Sequence, residues 1–341
     1  MKRLRGMGIL ASFLIGASLL LGSAAVRGEP LKIRVAQSVA APVNIIGLIY
    51  MEPSLLKHYG KSYTVDYVLF RGTSPQIQAF AAKELDVGYL AYASLPFAIV
   101  KGNLDIKVVA DLSQEREGSH SSVWVALEGS GIKSPKDLKG KRIGINLHNT
   151  AVSIATQLKL RQYGYEWPRD YQMVEVNFPA QEAFLREKKI DAACLVGPFL
   201  FKALKNGGLV QLYDSREPFG EVQTLMTVAR SEWMQKNRAA AADFFEDWLR
   251  FWRWYQNPAN RDAALKLVAR ALKQPVSNFQ DWALTKKGDY YRDPNAMPNV
   301  AALKKNIAAM QEVGILKEPF DVAKHVDTSL LQEAMKRLDG K

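Results

Sequence analysis

Four landmarks in this chain occur twice at one spacing, and that constrains its fold more than any single residue does. Tyr59-Gly60 returns as Tyr163-Gly164, Pro75 as Pro179 and Ala79-Phe80 as Ala183-Phe184, each 104 residues later. Leu85-Asp86-Val87 returns as Ile190-Asp191-Ala192, 105 residues later. Around them the same order of segments repeats. A short β-like run, Lys32–Ala36 or Lys141–Ile145, leads to a helix-compatible stretch that ends at the Tyr-Gly pair, where a glycine suits a helix C-cap. A second β run, Thr64–Phe70 or Met173–Phe178, precedes a helix opened by proline, and a third strand starts at the repeated aspartate.

Strands alternating with helices predict parallel sheets joined by right-handed crossovers, so the repeat predicts two similar α/β lobes. Between the repeats lies the strand-like run Ile106–Ala110, then a polar stretch from Ser113 to Ser122, then the strand Val123–Leu127. The polar stretch reads as a crossing between lobes. A second polar stretch, Tyr213–Gly220, precedes the strand Val222–Val228 and reads as the return. The expected lobes are therefore residues 29–118 with 223–341, and residues 119–222. From Ser231 the pattern is helical, with apolar or aromatic positions at i, i+3 and i+4 over Ala239–Tyr255. Further helices are expected over Arg261–Leu272, Ser277–Leu284, Val300–Val313 and Ser329–Leu338, packed around the first lobe. Trp248, Phe251, Trp252, Trp254 and Tyr255 read as core and packing residues of a long amphipathic helix.

Lys2, Arg3 and Arg5 precede an apolar run from Met7 to Leu21 and the small residues Gly22 to Ala25, the order of a secretory signal peptide. Cleavage is expected between residues 25 and 28, and the run is shorter than the ~20 residues that span a bilayer. Cys194 is the sole cysteine, which excludes an internal disulfide, a cysteine-based zinc cluster and a lipid anchor after the signal. An exported chain of 341 residues without disulfides fits a bacterial periplasm, stabilised by its cores. Cys194 lies in an apolar run and reads as an inert buried side chain. A hydrophobic content of 48% and a net charge of +12 describe a globular chain suited to an anionic partner.

Thr73 to Ala82 leading to Asp86-Val87-Gly88, then Ile132-Lys-Ser-Pro-Lys-Asp-Leu-Lys-Gly-Lys-Arg-Ile-Gly144, Ile190-Asp191-Ala192 and Gly197-Pro198, together resemble the periplasmic substrate-binding proteins of the nitrate, sulfonate and taurine ABC importers. The likeness covers nearly the whole mature chain. It rests on order and spacing, since Leu138 to Gly144 alone marks only a tight turn feeding a strand. The resemblance implies the type II periplasmic-binding-protein fold, two α/β lobes with mostly parallel sheets flanked by helices and joined by a two-strand hinge. It also implies one small anionic ligand, organic or inorganic, handed to an ABC transporter permease in the inner membrane; the chain is expected to be monomeric, to need no cofactor and to take a sulfonate, nitrate, taurine or aromatic carboxylate.

In parallel α/β lobes, ligands sit beyond the carboxyl ends of strands, where helix N-termini present free N–H groups. Thr73 and Ser74 stand just before a proline-started helix and suit an anion cradle, although simple capping explains them equally. His148, Asn149 and Thr150 hold the corresponding place in the second lobe. Gln37, Pro42 and Asn44 lie in the loop after the first strand, and Tyr92, Ser94, Gly197 and Phe199 at the remaining strand ends. Tyr92 and Phe199 suit either a ligand's organic part or ordinary packing. His120 and Trp124 fall at the expected hinge, where packing is the simpler account, and the sequence places neither Arg71 nor Arg116 in a cleft.

Other classes fare worse. No Gly-x-Ser-x-Gly, Gly-x-Gly-x-x-Gly, P-loop or His-Glu-x-x-His motif occurs. His58, His120, His148 and His325 lack ligand spacing, so no metal is expected, and His58 and His325 read as polar surface. Nucleic-acid binding would need a basic stripe or an aromatic-basic motif, whereas the basic residues here are spread along helices. The alternative is an enzyme on the same fold, of the pyrimidine-forming or chorismate-dehydrating type. The export signal argues against it, and the pyrimidine-forming relatives have a cysteine-rich pattern that one cysteine cannot supply.

Overall fold

A computed structural model describes residues 29–340 apart from 39–44, 71, 121, 198, 287 and 313. Residues 1–28, read above as an export signal, and Pro42, Asn44 and Arg71 therefore lie outside the described residues. The strands are β1 (Leu31–Ser38), β2 (Tyr63–Phe70), β3 (Val87–Ala91), β4 (Ile106–Glu115), β5 (Val123–Leu127), β6 (Arg142–Ile145), β7 (Gln172–Glu175), β8 (Ala192–Leu195), β9 (Leu209–Asp214) and β10 (Val222–Arg230). The helices are α1 (Ser74–Ala81), α2 (Ser94–Val100), α3 (Ala151–Arg161), α4 (Phe178–Arg186), α5 (Phe199–Asn206), α6 (Arg216–Phe219), α7 (Ser231–Lys236), α8 (Arg238–Gln256), α9 (Arg261–Leu272), α10 (Val300–Glu312) and α11 (Ser329–Asp339).

The strands form two five-stranded sheets, ordered β2-β1-β3-β10-β4 and β7-β6-β8-β5-β9. Relabelled by position, the two orders are the same. β1 pairs in parallel with β2 and β3, and β6 with β7 and β8. The fourth strand of each sheet, β10 or β5, runs antiparallel to both its neighbours. Each sheet is thus mostly parallel, as the repeat predicts. The chain leaves the first sheet after Glu115, enters the second at Val123, and returns between Asp214 and Val222.

Each repeat is tied at the base of its first strand by an arginine and the repeated aspartate. Arg34 Nε and Nη2 donate to Asp86 at 2.9 and 2.7 Å, and Arg142 Nε and Nη2 donate to Asp191 at 3.1 and 3.0 Å. In both, the arginine backbone N–H bonds the same carboxylate, at 3.0 and 2.8 Å. This bidentate fork fixes strand one against strand three.

Three sequence expectations need correction. The stretch before His58-Tyr59-Gly60 has no α-helix among its described residues, only 3₁₀ turns at Ile49–Met51 and Pro53–Leu55. Pro53 has no N–H to give a continuing helix. Asp247, buried on α8, accepts the backbone N–H groups of Lys57, His58 and Tyr59 at 2.7, 2.9 and 3.2 Å, so helix-type bonds are not needed there. His58 is not a solvated surface side chain: its ring lies 3.5 Å from Asp243 and 3.0 Å from Glu246, with 18% of its side chain exposed. Lys57, Arg250 and Arg337 also pair with Glu246, so its charge is already matched. Lastly, Ser277–Leu284 is a 3₁₀ turn at Val276–Asn278 followed by irregular turns.

The long helix behaves as its pattern predicts. Trp248, Phe251, Trp252 and Tyr255 are buried on α8, and Trp248 stacks on Trp252 at 5.0 Å. Removing a ring of this size from such a core costs about 3 to 5 kcal/mol. Cys194 is fully buried in β8, and burial pushes its thiol up. No helix among the described residues is long and apolar enough to cross a membrane.

Candidate functional site

The polar stretch read as a crossing begins later than its sequence suggests. Ser113, Gln114 and Glu115 continue β4 and are buried, the Gln114 and Glu115 side chains with polar partners and the Ser113 hydroxyl without one. The crossing proper is 116–122. Glu115 accepts from the backbone N–H and hydroxyl of Ser122 at 3.3 and 3.1 Å, from Thr224 at 3.3 Å and from Ser215. One carboxyl therefore gathers the end of β4, the start of β5, the chain after β9 and β10. Its donors are all neutral. Burial pushes its pKa up to about 7, against hydrogen bonds that lower it.

Beside Glu115 the lobes meet closely. Tyr92, just after β3, donates its hydroxyl to the carbonyl of Ala151 at the start of α3, 3.4 Å away, and its ring lies 5.2 Å from Phe219. Trp124 is buried, donates to Thr156 at 3.0 Å and stacks on Tyr213 at 4.6 Å. Tyr92, Glu115, Ser122, Trp124 and Ala151 leave a cavity of about 20 Å³, the room of one water.

Helix starts from both lobes converge on this junction. Thr73 and Ser94, at the starts of α1 and α2, are buried and share a hydroxyl hydrogen bond of 2.7 Å. This corrects the capping account for Thr73: its hydroxyl makes no cap bond to its own helix. Ser74 begins α1. Opposite them, Thr150 precedes α3 in an extended conformation, its single hydroxyl proton shared between Asn146 Oδ1 and the Leu147 carbonyl, each 2.8 Å from Oγ1. A side chain added at Gly72 would reach 3.9 Å from Leu147, so the two helix-start loops nearly touch.

The other sequence-selected residues are spread out. Gln37 lies over Gly47, where an added Cβ would sit 2.7 Å from its side chain. The His148 backbone N–H bonds Glu175 at 2.9 Å, its ring leans on Trp167 at 5.1 Å, and exposed Asn149 adopts a left-handed φ of 58°. The α3 loop thus brings Thr150 to the junction, while His148 packs against the second lobe. Arg116 packs over the Tyr291 ring at 4.1 Å.

Phe199 belongs to a second, larger opening. It measures about 990 Å³ and lies between the first turns of α4 and α5 and the segment from Gln274 to Gly288. Phe201 of the second lobe stacks on Trp282 of the first at 4.7 Å and 9°. Gly197 sits behind that stack, where an added Cβ would lie 3.3 Å from Phe201 and 3.4 Å from Trp282. The Trp282 segment is held at the crossing by His120, whose N–H donates to the Asp289 carbonyl at 2.8 Å, and by the Gln114–Tyr291 backbone pair at 2.8 and 2.9 Å. The His120 ring is wedged between Phe201 and Tyr290 at 5.2 and 4.9 Å, and burial pushes its pKa down to about 4.

Glu115, Phe178, Phe201 and Trp282 escaped selection in the sequence. Glu115 lay inside the polar stretch read only as a crossing between lobes, and Trp282 lies far along the chain with no motif around it. An acidic residue set among serines at a lobe crossing is the one signal that pointed to the former.

The same two-sheet architecture occurs in known structures. The periplasmic aliphatic sulphonate binding protein SsuA from Escherichia coli aligns over 87% of this chain and 92% of its own at 18% identity, with a TM-score of 0.65. The periplasmic nitrate-binding protein NrtA from Synechocystis PCC 6803 aligns over 92% and 90% at 12% identity, with a TM-score of 0.70. The desulfurization enzyme DSZB aligns over 90% and 99% at 12% identity, with a TM-score of 0.63. These likenesses establish the fold. No curated protein sequence matches the chain. The sequence model of the NMT1-like family matches residues 35–269, more than half of the chain, and the protein belongs to that NMT1-like family.

Proposed function

We propose that the chain is an extracytoplasmic solute-binding protein that captures a small anion between its lobes and delivers it to an ABC importer. The observation that carries this reading is the convergence of helix starts from two like sheets on one interlobe junction, spanned by the Tyr92–Ala151 hydrogen bond. Two crossings joining two rigid sheets make a hinge, and free N–H groups at the helix starts favour negative charge. Residues 1–28 act as the export signal and leave a monomeric protein in the periplasm without a lipid anchor. The first lobe comprises residues 29–118 with 223–341, and the second residues 119–222. Thr73, Tyr92, Ser94 and Thr150 are the ligand-facing residues at the junction and Phe199 the one at the larger opening, while Gln37, Pro42, Asn44, Ser74, His148, Asn149 and Gly197 complete the set expected from the sequence. The sulphonate-binding and nitrate-binding proteins among the similar structures support an anion, and the permease partner belongs to that transport role. The likeness to a desulfurization enzyme keeps one second reading in view, catalysis on the same scaffold.

A thermal-shift screen of the purified protein against sulfonates, nitrate, bicarbonate, aromatic carboxylates and pyrimidines separates these readings, since a ligand that binds only the folded state raises the melting point. A rise of several degrees with one anion class, and no loss of that compound on incubation, is the expected result. Consumption of the hit would establish the enzyme instead.

A further inference from the structure

The larger opening has a chemistry of its own. Four aromatic residues line it: Phe178, Phe199 and Phe201 from the starts of α4 and α5, and Trp282 from the first lobe. Phe178, Phe199 and Phe201 are half-buried, so part of each ring remains available. Lys202 and Lys205 also line it, three residues apart on α5 and so on one face. Both are exposed, and neither has an ion-pair partner among the described residues. Of the two carboxylates lining the opening, Glu182 is taken by Arg186 at 2.9 Å and by Asn206 at 2.7 Å, which leaves Asp281 against two lysines and two helix N-termini. At about 990 Å³ the opening is at the top of the range that holds drug-sized organic molecules. An ion of four or five atoms would leave most of it as water against aromatic rings.

We infer that this opening takes an organic anion with a flat aromatic body, an aryl sulfonate or aryl carboxylate, and that Phe199 and the Lys202–Lys205 pair determine that preference. The inference rests on the solute-binding reading above and narrows its ligand. The ring of the ligand lies against Phe199 and the Phe201–Trp282 stack, where offset or edge contacts between aromatic groups add to apolar burial. Its charged group meets the lysines at the solvent rim, where they steer approach and give a salt-dependent affinity. Because Phe201 and Trp282 come from different lobes, a ligand seated on their stack touches both sides of the hinge.

Titration calorimetry on the purified full chain tests this with 2-naphthalenesulfonate, benzoate, methanesulfonate, nitrate and the uncharged 2-naphthalenemethanol. At least one aryl anion is expected to bind tenfold or more tighter than methanesulfonate, nitrate and the neutral naphthalene. Phe199→Ala is expected to weaken that binding tenfold or more, and Phe199→Leu, which keeps the bulk and removes the ring, severalfold. Lys202→Gln with Lys205→Gln is expected to weaken it severalfold and flatten its salt dependence, with the melting curve of each variant establishing that it folds. Methanesulfonate or nitrate binding as tightly as the aryl anions, the neutral naphthalene binding equally well, or unchanged affinity in folded Phe199→Ala would overturn the aromatic-anion assignment and leave the solute-binding reading standing. Absence of binding by all five compounds, together with no melting shift across the wider screen, would overturn both.

Discussion

The two lobes carry the same arginine-aspartate clip, and the clip is built more strongly in the first lobe. Asp86 takes the Arg34 fork and also Arg230 from the end of β10, and its side chain is 2% exposed. Asp191 takes only the Arg142 fork and is 26% exposed. The difference comes from how the chain is threaded. The second sheet is made from one continuous stretch, whereas the first is completed only when β10 returns from the other lobe. Arg230 sits at the end of that returning strand, where it joins the late segment to the repeat formed before it. A repeated motif can thus serve one duty twice and a second duty once.

Asp86→Ala against Asp191→Ala tests this comparison with the largest effect. Removing Asp86 leaves Arg34 and the more buried Arg230 without their shared partner, and an expected loss of about 4 kcal/mol is in the range for breaking a buried pair. Asp191→Ala strands one partly solvated arginine and is expected to cost about 1 kcal/mol. Urea unfolding of both variants measures the difference. Equal losses would mean that Arg230 adds nothing to the clip. Acid should show the same asymmetry. Burial pushes Asp86 up, but hydrogen bonds from Arg34 and Arg230 outweigh it and hold its pKa below the ordinary carboxylate value. The stability it gives is therefore present above the ordinary value and lost as pH falls below it.

The junction where the repeats meet belongs to neither, and there the pH dependence runs the other way. Glu115 has no ion-pair partner among the described residues, and its folded pKa of about 7 lies above its ordinary 4.5. A carboxyl that binds its proton more tightly when folded gives most stability below the ordinary value, and stability falls as pH rises toward 7. Asp111, raised by burial to about 6, acts in the same direction. Glu115→Gln is expected to remove about 2 kcal/mol of the decline between pH 5 and pH 8, leaving the smaller decline from Asp111 set against the opposite slope of His120, whose lowered pKa of about 4 gives stability that grows as pH rises. Thermal melts of both proteins at the two pH values decide it, and an unchanged slope would show that Glu115 does not titrate there.

The repeat, both sheets and the long aromatic helix were legible in the sequence because each rests on local periodicity or on a spacing that survives folding. Asp86 and Asp191 could be paired by position. Their arginines could not, because Arg34 and Arg142 lie 108 residues apart rather than 104 or 105. The site was half legible. Thr73, Tyr92, Ser94 and Thr150 were reached because each stands just beyond a strand end, and the structure brings them to one junction. Glu115 and Trp282 were not reachable in that way. The burial of Glu115 depends on the nearby Ser122 hydroxyl and on those of Ser215 and Thr224, 100 and 109 residues further on, and Trp282 reaches the second lobe through irregular turns whose path no periodicity encodes. The missing helix before His58 shows the same limit from the other side, since the carboxylate that replaces its hydrogen bonds is on α8.

The smallest effect lies in a pair of buried glutamines 105 residues apart. Gln76 Oε1 accepts the Tyr89 backbone N–H at 3.0 Å, and its Nε2 donates to the Gly72 carbonyl at 3.1 Å. Gln181 Nε2 likewise donates, to the Val176 carbonyl at 3.0 Å, but its buried Oε1 has no hydrogen-bond partner. Both side chains occupy the space between the proline-started helix and the sheet. Replacing either by leucine keeps most of the volume. In the first lobe this removes both the hydrogen bond from the Tyr89 N–H and the one to the Gly72 carbonyl, with an expected loss of about 2 kcal/mol. In the second it frees one carbonyl but also removes an unsatisfied oxygen, and the two changes nearly cancel, so the expected change is below about 1 kcal/mol. A Gln181→Leu loss as large as that of Gln76→Leu in urea unfolding would show that a water or a rearranged amide satisfies Oε1, and that the two lobes are more alike inside than at their clips.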